Sequence, residues 1–444
     1  MHDGLPFQIA PPPLLHTTHH LHTTPQVKSI ATVSINAAMS AREFQNVVEE
    51  YDFDEVVDRK NSNSMKWGGM QQFLSEDEAK TEPLPMWVAD SDFKAPRPVL
   101  DALHQAVEHG VFGYPNGAPR SYLEAVINWQ GKRFGWNVET GWIVQTPGII
   151  TSIKIAIQAF SAPGDSVLIQ PPVYAHFHDD VLLNGRLLTY APLSRSDSGY
   201  VFDEKVFEAA IQDNTKIFIL SNPHNPTGNV WSEADLRTMG EICLRRGVLV
   251  IADEIHQDLI MNPAKAHTPF ASLSPAFAQQ SITCTAPSKT FNLPGLQSAN
   301  LFIPNAKLRA EFIRQYDRNM FPLVNTLGMV AAEAAYTHGE PWLEQMLAYV
   351  RRNQQYFAHQ VNNSTSKVKV LPADSLYLAW MDCRETGMTA EELNRYMLIK
   401  ARLWLDKGQK FGVEGHGYMR VNLGCPRSTV DEAIRRLKSA LDSL

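Results

Sequence analysis

The 444-residue sequence predicts an α/β protein: a large domain built on a mainly parallel sheet covered by helices, and a smaller α+β domain. Three observations predict this. Short apolar runs alternate with amphipathic helical patterns over residues 95–325. Those runs show little polar alternation, the pattern of strands covered on both faces. From residue 326 to 444 the order changes to long helical patterns with a few strands.

Residues 1–42 are rich in Pro, Thr and His and lack a helical period. They read as a disordered extension, a better account of His16, His19, His20 and His22 than metal binding. The stretch has no basic start followed by an apolar core, as a secretory signal would, and its first arginine is Arg42. Residues 43–94, which include PLPMWVADSDFKAP, form an N-terminal segment expected to join the smaller domain.

PRPVLDALHQAVEHG sets Val99, Leu100, Leu103, Ala106 and Val107 on one helix face. SYLEAVINWQGKRF and GIITSIKIAIQAF read the same way. Between and after them lie strand-like runs: WIVQT, SVLIQ (166–170), KIFILS (216–221), VLVIADE (248–254) and SITCT (281–285). SLYLAWMD and GYMRVNLG supply strands to the smaller domain.

Composition narrows the function. Hydrophobic residues make up 44% and charged residues 20%, ordinary values for a soluble globular protein. A formal net charge of −7 argues against nucleic-acid binding. No apolar run approaches the roughly 20 residues of a membrane helix, so no membrane partner is expected. Cys243, Cys284, Cys383 and Cys425 are scattered, without CxxC or zinc spacing. They read as reduced thiols of a cytoplasmic protein with no metal site.

In open parallel sheets ligands bind beyond the carboxyl ends of the strands, and several polar signals fall there. SNPHNPTG follows KIFIL, and Asn225 in it is placed to point an amide at a ligand. Asp253 ends the apolar strand of VLVIADEIH, where a buried carboxylate needs a cation or strong donor; a helix cap is the plainer alternative. Lys289, in TCTAPSKTFNLPGL, sits just past a strand in an otherwise apolar segment. An amine kept partly neutral there can act as nucleophile or base. PGIITS opens a helix whose free N–H groups suit a phosphate. Tyr174, in QPPVYAHF, is either core or a stacking platform. Arg420 lies inside an apolar strand, where its fork suits a planar anion.

These motifs, with MWVADSDF, GYPNG, DEIHQDL and APSKTFNLPGLQSAN, make residues 45–444 resemble the fold-type I, pyridoxal-phosphate-dependent aminotransferase superfamily, class I and II. Within it the chain is most similar to the cystathionine β-lyase-like C–S lyases. The resemblance implies a seven-stranded, mainly parallel sheet in the pyridoxal-phosphate-binding domain. It implies that Lys289 forms the Schiff base with the cofactor and later takes the Cα proton. Asp253 would pair with the pyridinium nitrogen, Asn225 would donate to the phenolic oxygen, and Tyr174 would stack on the ring. Backbone N–H groups near Gly148, Ile149 and Ile150, with Ser288, would hold the phosphate. Tyr114 matches a tyrosine that reaches the neighbouring subunit's phosphate and substrate, which implies a homodimer with shared active sites. Arg420 would clamp the substrate α-carboxylate.

Two positions depart from the common aminotransferase pattern. His256 stands where many members carry tyrosine, and is assigned to the cofactor site with a core role as the alternative. Gln297 stands where many carry a phosphate-binding arginine. Both look like the C–S lyase branch. SDF at 91–93 also departs from the expected form, which leaves contacts there open. The expected function is therefore β-elimination on an L-cysteine S-conjugate, cystathionine-like or a bulkier conjugate of sulfur-containing secondary metabolism, giving a thiol, pyruvate and ammonia. The alternatives are an aminotransferase using a 2-oxo acid, and a regulatory or interaction protein on the same scaffold.

Overall fold

A computed structural model describes residues 51–196, 199–319, 324–442 and 444. The expected extension, 1–42, lies outside the described residues. Those described belong to one compact unit, Glu49–Leu444.

The main elements begin with β1 (Leu84–Pro85), α1 (Arg97–His109) and α2 (Arg120–Phe134). Next come β2 (Ile143–Thr146), α3 (Ile149–Phe160), β3 (Ser166–Ile169), α4 (Ala175–Leu183) and β4 (Leu187–Tyr190). They continue with β5 (Thr215–Ser221), α5 (Glu233–Arg246), β6 (Leu249–Asp253), β7 (Ser281–Thr285), the one-turn α6 (Pro287–Thr290) and β8 (Ala299–Phe302). Helices α7 (Thr326–His338) and α8 (Glu340–Asn362) lead to β9 (Lys369–Val370), β10 (Leu378–Asp382) and β11 (Leu403–Trp404). The chain closes with β12 (Asp406–Lys407), β13 (Tyr418–Asn422) and α9 (Arg427–Leu441).

Seven strands form one sheet in the order β2-β8-β7-β6-β5-β3-β4. The pairs β3/β4, β3/β5, β5/β6 and β6/β7 are parallel. Only β8 runs against its neighbours, β7 and β2. The absence of polar alternation has the expected cause. In β5, Ile217 and Ile219 pack with α3, while Phe218 and Leu220 pack on the opposite face with Leu236 and Met239 of α5. Both faces are dry, so successive residues are all apolar. Helix α5 ends at Gly247, whose φ of 66° favours glycine and turns the chain into β6.

A second sheet, β9-β10-β13-β12, is antiparallel. Met381, Met419 and Val421 pack against Val430, Ile434 and Leu437 of α9. Here β10 starts later than SLYLAWMD predicts, because Leu376 adopts a φ of 70°, which strand geometry excludes. β1 pairs in parallel with β11 in a separate two-stranded sheet, which ties the N-terminal segment to the C-terminal part of the chain.

The expected face of α1 is only partly buried. Val99 is inaccessible, whereas Val107 is 54% exposed. The helix packs on α7, but its last turn and the loop carrying Val111, Phe112 and Tyr114 stand clear of the chain's own core. Among the described residues no helix is long and apolar enough to cross a membrane.

Candidate active site

Five strand ends meet at one cavity of about 160 Å³. After β2 the chain turns at Pro147 and Gly148 into α3, whose first N–H groups have no side-chain cap and no intrahelical acceptor. Gly148 lines the cavity, and a Cβ there would touch no protein atom. Tyr174 lies just before α4 and lines the cavity. Burial pushes its hydroxyl up to about 12, so it remains a neutral phenol.

From β5 come Ser221 and Asn225. The Ser221 hydroxyl accepts from the Asn225 N–H at 3.1 Å. The Asn225 side-chain oxygen accepts from Arg420 Nη1 at 3.1 Å, which leaves its amide N–H groups for a ligand. From β6 comes Asp253, 7% exposed. Its Oδ1 accepts from the Ile255 N–H at 3.2 Å, and no cation pairs with it among the described residues. Burial raises its carboxyl to about 7, against that hydrogen bond and the Lys289 charge. His256, 4% exposed, lines the same wall, and its Nδ1 is buried without a partner. Burial, then the Lys289 and Arg420 charges, lower its pKa well below normal, so it is neutral.

Lys289 reaches the cavity from α6. Pro287 occupies the first turn of that helix, where its fixed φ suits helix entry. The Thr290 hydroxyl donates to Asp258 at 2.8 Å, and Asp258 is held by Arg133 and Trp129. The Lys289 Nζ donates to the Ala89 carbonyl at 2.6 Å. Burial lowers the amine to about 8, assisted by Arg420 and opposed by Asp90 and Asp253. Among the described residues, Lys289 is the only Lys or Arg side chain lining the cavity.

The structure thus gathers Gly148, Ile149, Ile150, Tyr174, Asn225, Asp253, His256, Ser288 and Lys289 around one cavity. Gln297 lines it too, at a left-handed φ of 49°. Two expected residues are not in its lining. Tyr114 is 91% exposed, on the loop after α1. Arg420 is buried, and its Nη2 donates to Asp406 at 2.6 Å and to the Trp87 carbonyl at 3.1 Å. It touches the cavity through Asn225. The sequence reading passed over Asp406, the Ala89 carbonyl and Ser298. Nothing in WLDKGQ marks Asp406 as an arginine partner, and a main-chain carbonyl leaves no residue signature.

This donor set suits pyridoxal phosphate. The uncapped start of α3 and the Ser288 hydroxyl suit a phosphate. The unpaired buried carboxyl of Asp253 suits a protonated ring nitrogen, and the softened amine of Lys289 suits an aldehyde carbon.

The fold and this strand-end site define a class, and comparison with known proteins identifies it. Residues 88–437 match the family model described as aminotransferase class I and II. The chain belongs to that family. Its relatives include the cystathionine beta-lyase PatB of Bacillus subtilis, 41% identical over 88% of this chain and 99% of that protein. The protein MalY of Escherichia coli is 29% identical over 88% of this chain and 99% of its own length. Among solved structures, cystalysin of Treponema denticola, which contains pyridoxal 5'-phosphate, superposes with a TM-score of 0.84 at 32% identity, covering 89% of this chain and 99% of that one. A PLP-bound C–S lyase from Staphylococcus hominis gives 0.82 at 31% identity, over 88% and 98%.

Proposed function

We propose that this chain is a pyridoxal-phosphate-dependent C–S lyase. It cleaves an L-cysteine S-conjugate and water to a thiol, pyruvate and ammonia. The observation that carries the reading is the meeting of Lys289, Asp253 and the uncapped start of α3 in one cavity; the likeness to C–S lyases over nearly nine-tenths of the chain supports the reaction class.

Bound here, pyridoxal phosphate supplies an electron sink that makes the substrate Cα–H acidic. Lys289 would hold the group covalently and, as the freed amine, would take the Cα proton. Asp253 would keep the ring nitrogen protonated. Asn225, its oxygen already engaged by Arg420, would donate its amide to the ring oxygen. Tyr174 would pack on the ring, and neutral His256 lines the wall without adding charge. The N–H groups at Gly148, Ile149 and Ile150, with Ser288, would bind the phosphate. Arg420 receives the α-carboxylate. When the C–S bond breaks, its electron pair leaves on sulfur, which takes a proton from Lys289.

The active unit in this reading is a homodimer. Val107, Val111, Phe112 and Tyr114 are all exposed on one helix end and loop, an apolar patch a partner would cover. A second copy brings its own Tyr114 to this site. The four buried free thiols suit a cytoplasmic setting.

The test uses purified protein, pyridoxal phosphate and a cysteine thioether, without a 2-oxo acid. Sustained equimolar release of thiol, pyruvate and ammonia is expected. No release, but amino transfer once a 2-oxo acid is added, would replace lyase by aminotransferase.

A further inference from the structure

The segment Trp87–Asp92 has almost every carbonyl engaged by a residue of the site or its supports. Arg420 takes Trp87. Asn422 Nδ2 takes both Val88 and Asp90 at 2.6 Å. The Tyr377 hydroxyl, at 2.9 Å, shares the Ala89 carbonyl with Lys289. Asn292 and Arg59 take Ser91 at 3.0 and 3.1 Å. The Asp90 side chain is fixed as well. Its Oδ2 pairs with Arg59 at 2.7 Å, while its Oδ1 is buried with no hydrogen-bond partner. Arg59 also holds Asp92, which pairs with the buried Lys66 at 2.7 Å.

We propose that Asp90 is a positioning residue for the reaction at Lys289: held rigid by Arg59 and by its own segment, it sets an anion beside the amine that its neighbour Ala89 receives. An anion there stabilises the ammonium. Lys289 thus retains the proton taken from Cα until the departing sulfur claims it, and returns as neutral amine. Three charged groups act on that amine: Arg420 from β13, Asp253 from β6, and Asp90; His256, beyond Asp253, stays neutral. Of the two carboxylates, Asp90 acts the more strongly. Asp90 in turn faces Arg59, Tyr377, and Lys66, whose amine reaches the Asp90 carbonyl at 3.4 Å.

The inference rests on the proposed function, and one experiment separates the two. The full chain is loaded with pyridoxal phosphate, and the visible absorbance of the bound group is titrated with pH. Asp90→Asn keeps the shape and removes the charge. Its midpoint should fall by about one unit, with the kcat profile moving the same way. Arg59→Gln leaves Asp90 unneutralised and should move the midpoint up, which tests the same idea should Asp90→Asn not fold. An unmoved midpoint in folded Asp90→Asn, or shifts of one sign in both variants, overturns the role of Asp90 alone. A wild-type chain with no cofactor absorbance to titrate overturns both readings.

Discussion

Arg420 donates to Asp406 at 2.6 Å while its other terminal nitrogen donates to Asn225 at 3.1 Å. The arginine assigned to the substrate carboxylate is therefore held beforehand by a carboxylate and an amide. Its guanidinium also lies over the Phe411 ring, 4.9 Å from the centroid. Preorganisation of this kind lowers the ordering cost of binding. Asp406→Ala should raise KM for the amino acid by about tenfold, the weight of one charged hydrogen bond, with a smaller effect on kcat. Steady-state kinetics decide; an unchanged KM would place the carboxylate contact elsewhere.

Lys289→Ala removes the only lysine amine among the described residues that line the cavity. Turnover should fall by at least about a thousandfold, consistent with loss of covalent and base catalysis together. Borohydride treatment followed by mass spectrometry should leave the chain without added cofactor mass, and the melting temperature should hold, because a desolvated amine contributes little to stability. Retained turnover removes Lys289 from its role.

Two buried groups give the cofactor-free chain a defined pH response. Lys289, lowered to about 8, captures an aldehyde only as the neutral amine. The rate of cofactor uptake should rise with pH and level off above about 8. Asp253 is raised to about 7, so the folded state favours its acid form. The destabilisation from its charge is full above 7 and fades as pH falls through 7 toward 3.8. Asp253→Asn should thus melt higher than wild type above pH 7, with the gap closing on acidification, while the loaded variant turns over slowly. Equal melting at pH 8 would show that Asp253 already has a cationic partner.

Tyr114 and Lys289 provide a test of shared sites. Tyr114→Ala and Lys289→Ala are each expected to be poorly active. Mixed and allowed to exchange subunits, they should regain about a quarter of wild-type activity, since half the dimers are mixed and one of their two sites is intact. No recovery, in a mixture shown to contain mixed dimers, means Tyr114 serves no partner site.

The parts of the fold legible in the sequence were those with a local cause. SITCT became β7 residue for residue, because five buried positions in a row read as a strand without help from elsewhere. Asp253 and Lys289 stood out because a charge at the end of an apolar run is costly unless used. Asn225 was legible from its turn. The antiparallel β8 was missed: SANLF is too short to reveal direction, which its pairing with β7 and β2 decides. Asp406 lies fourteen positions from Arg420, beyond any helical or strand period. The outward half of α1 misled because Val107 falls on the apolar face that reads as core, yet is 54% exposed.

Asn422 holds the carbonyls of Val88 and Asp90 across 334 and 332 positions of sequence. A ribosome that has delivered the whole seven-stranded sheet has still not supplied the strand that fastens Ala89 over Lys289. A nascent chain halted before residue 418 would carry the lysine without its ceiling. Closure of the pocket over Lys289 therefore depends on β13, which follows every strand of the seven-stranded sheet along the chain.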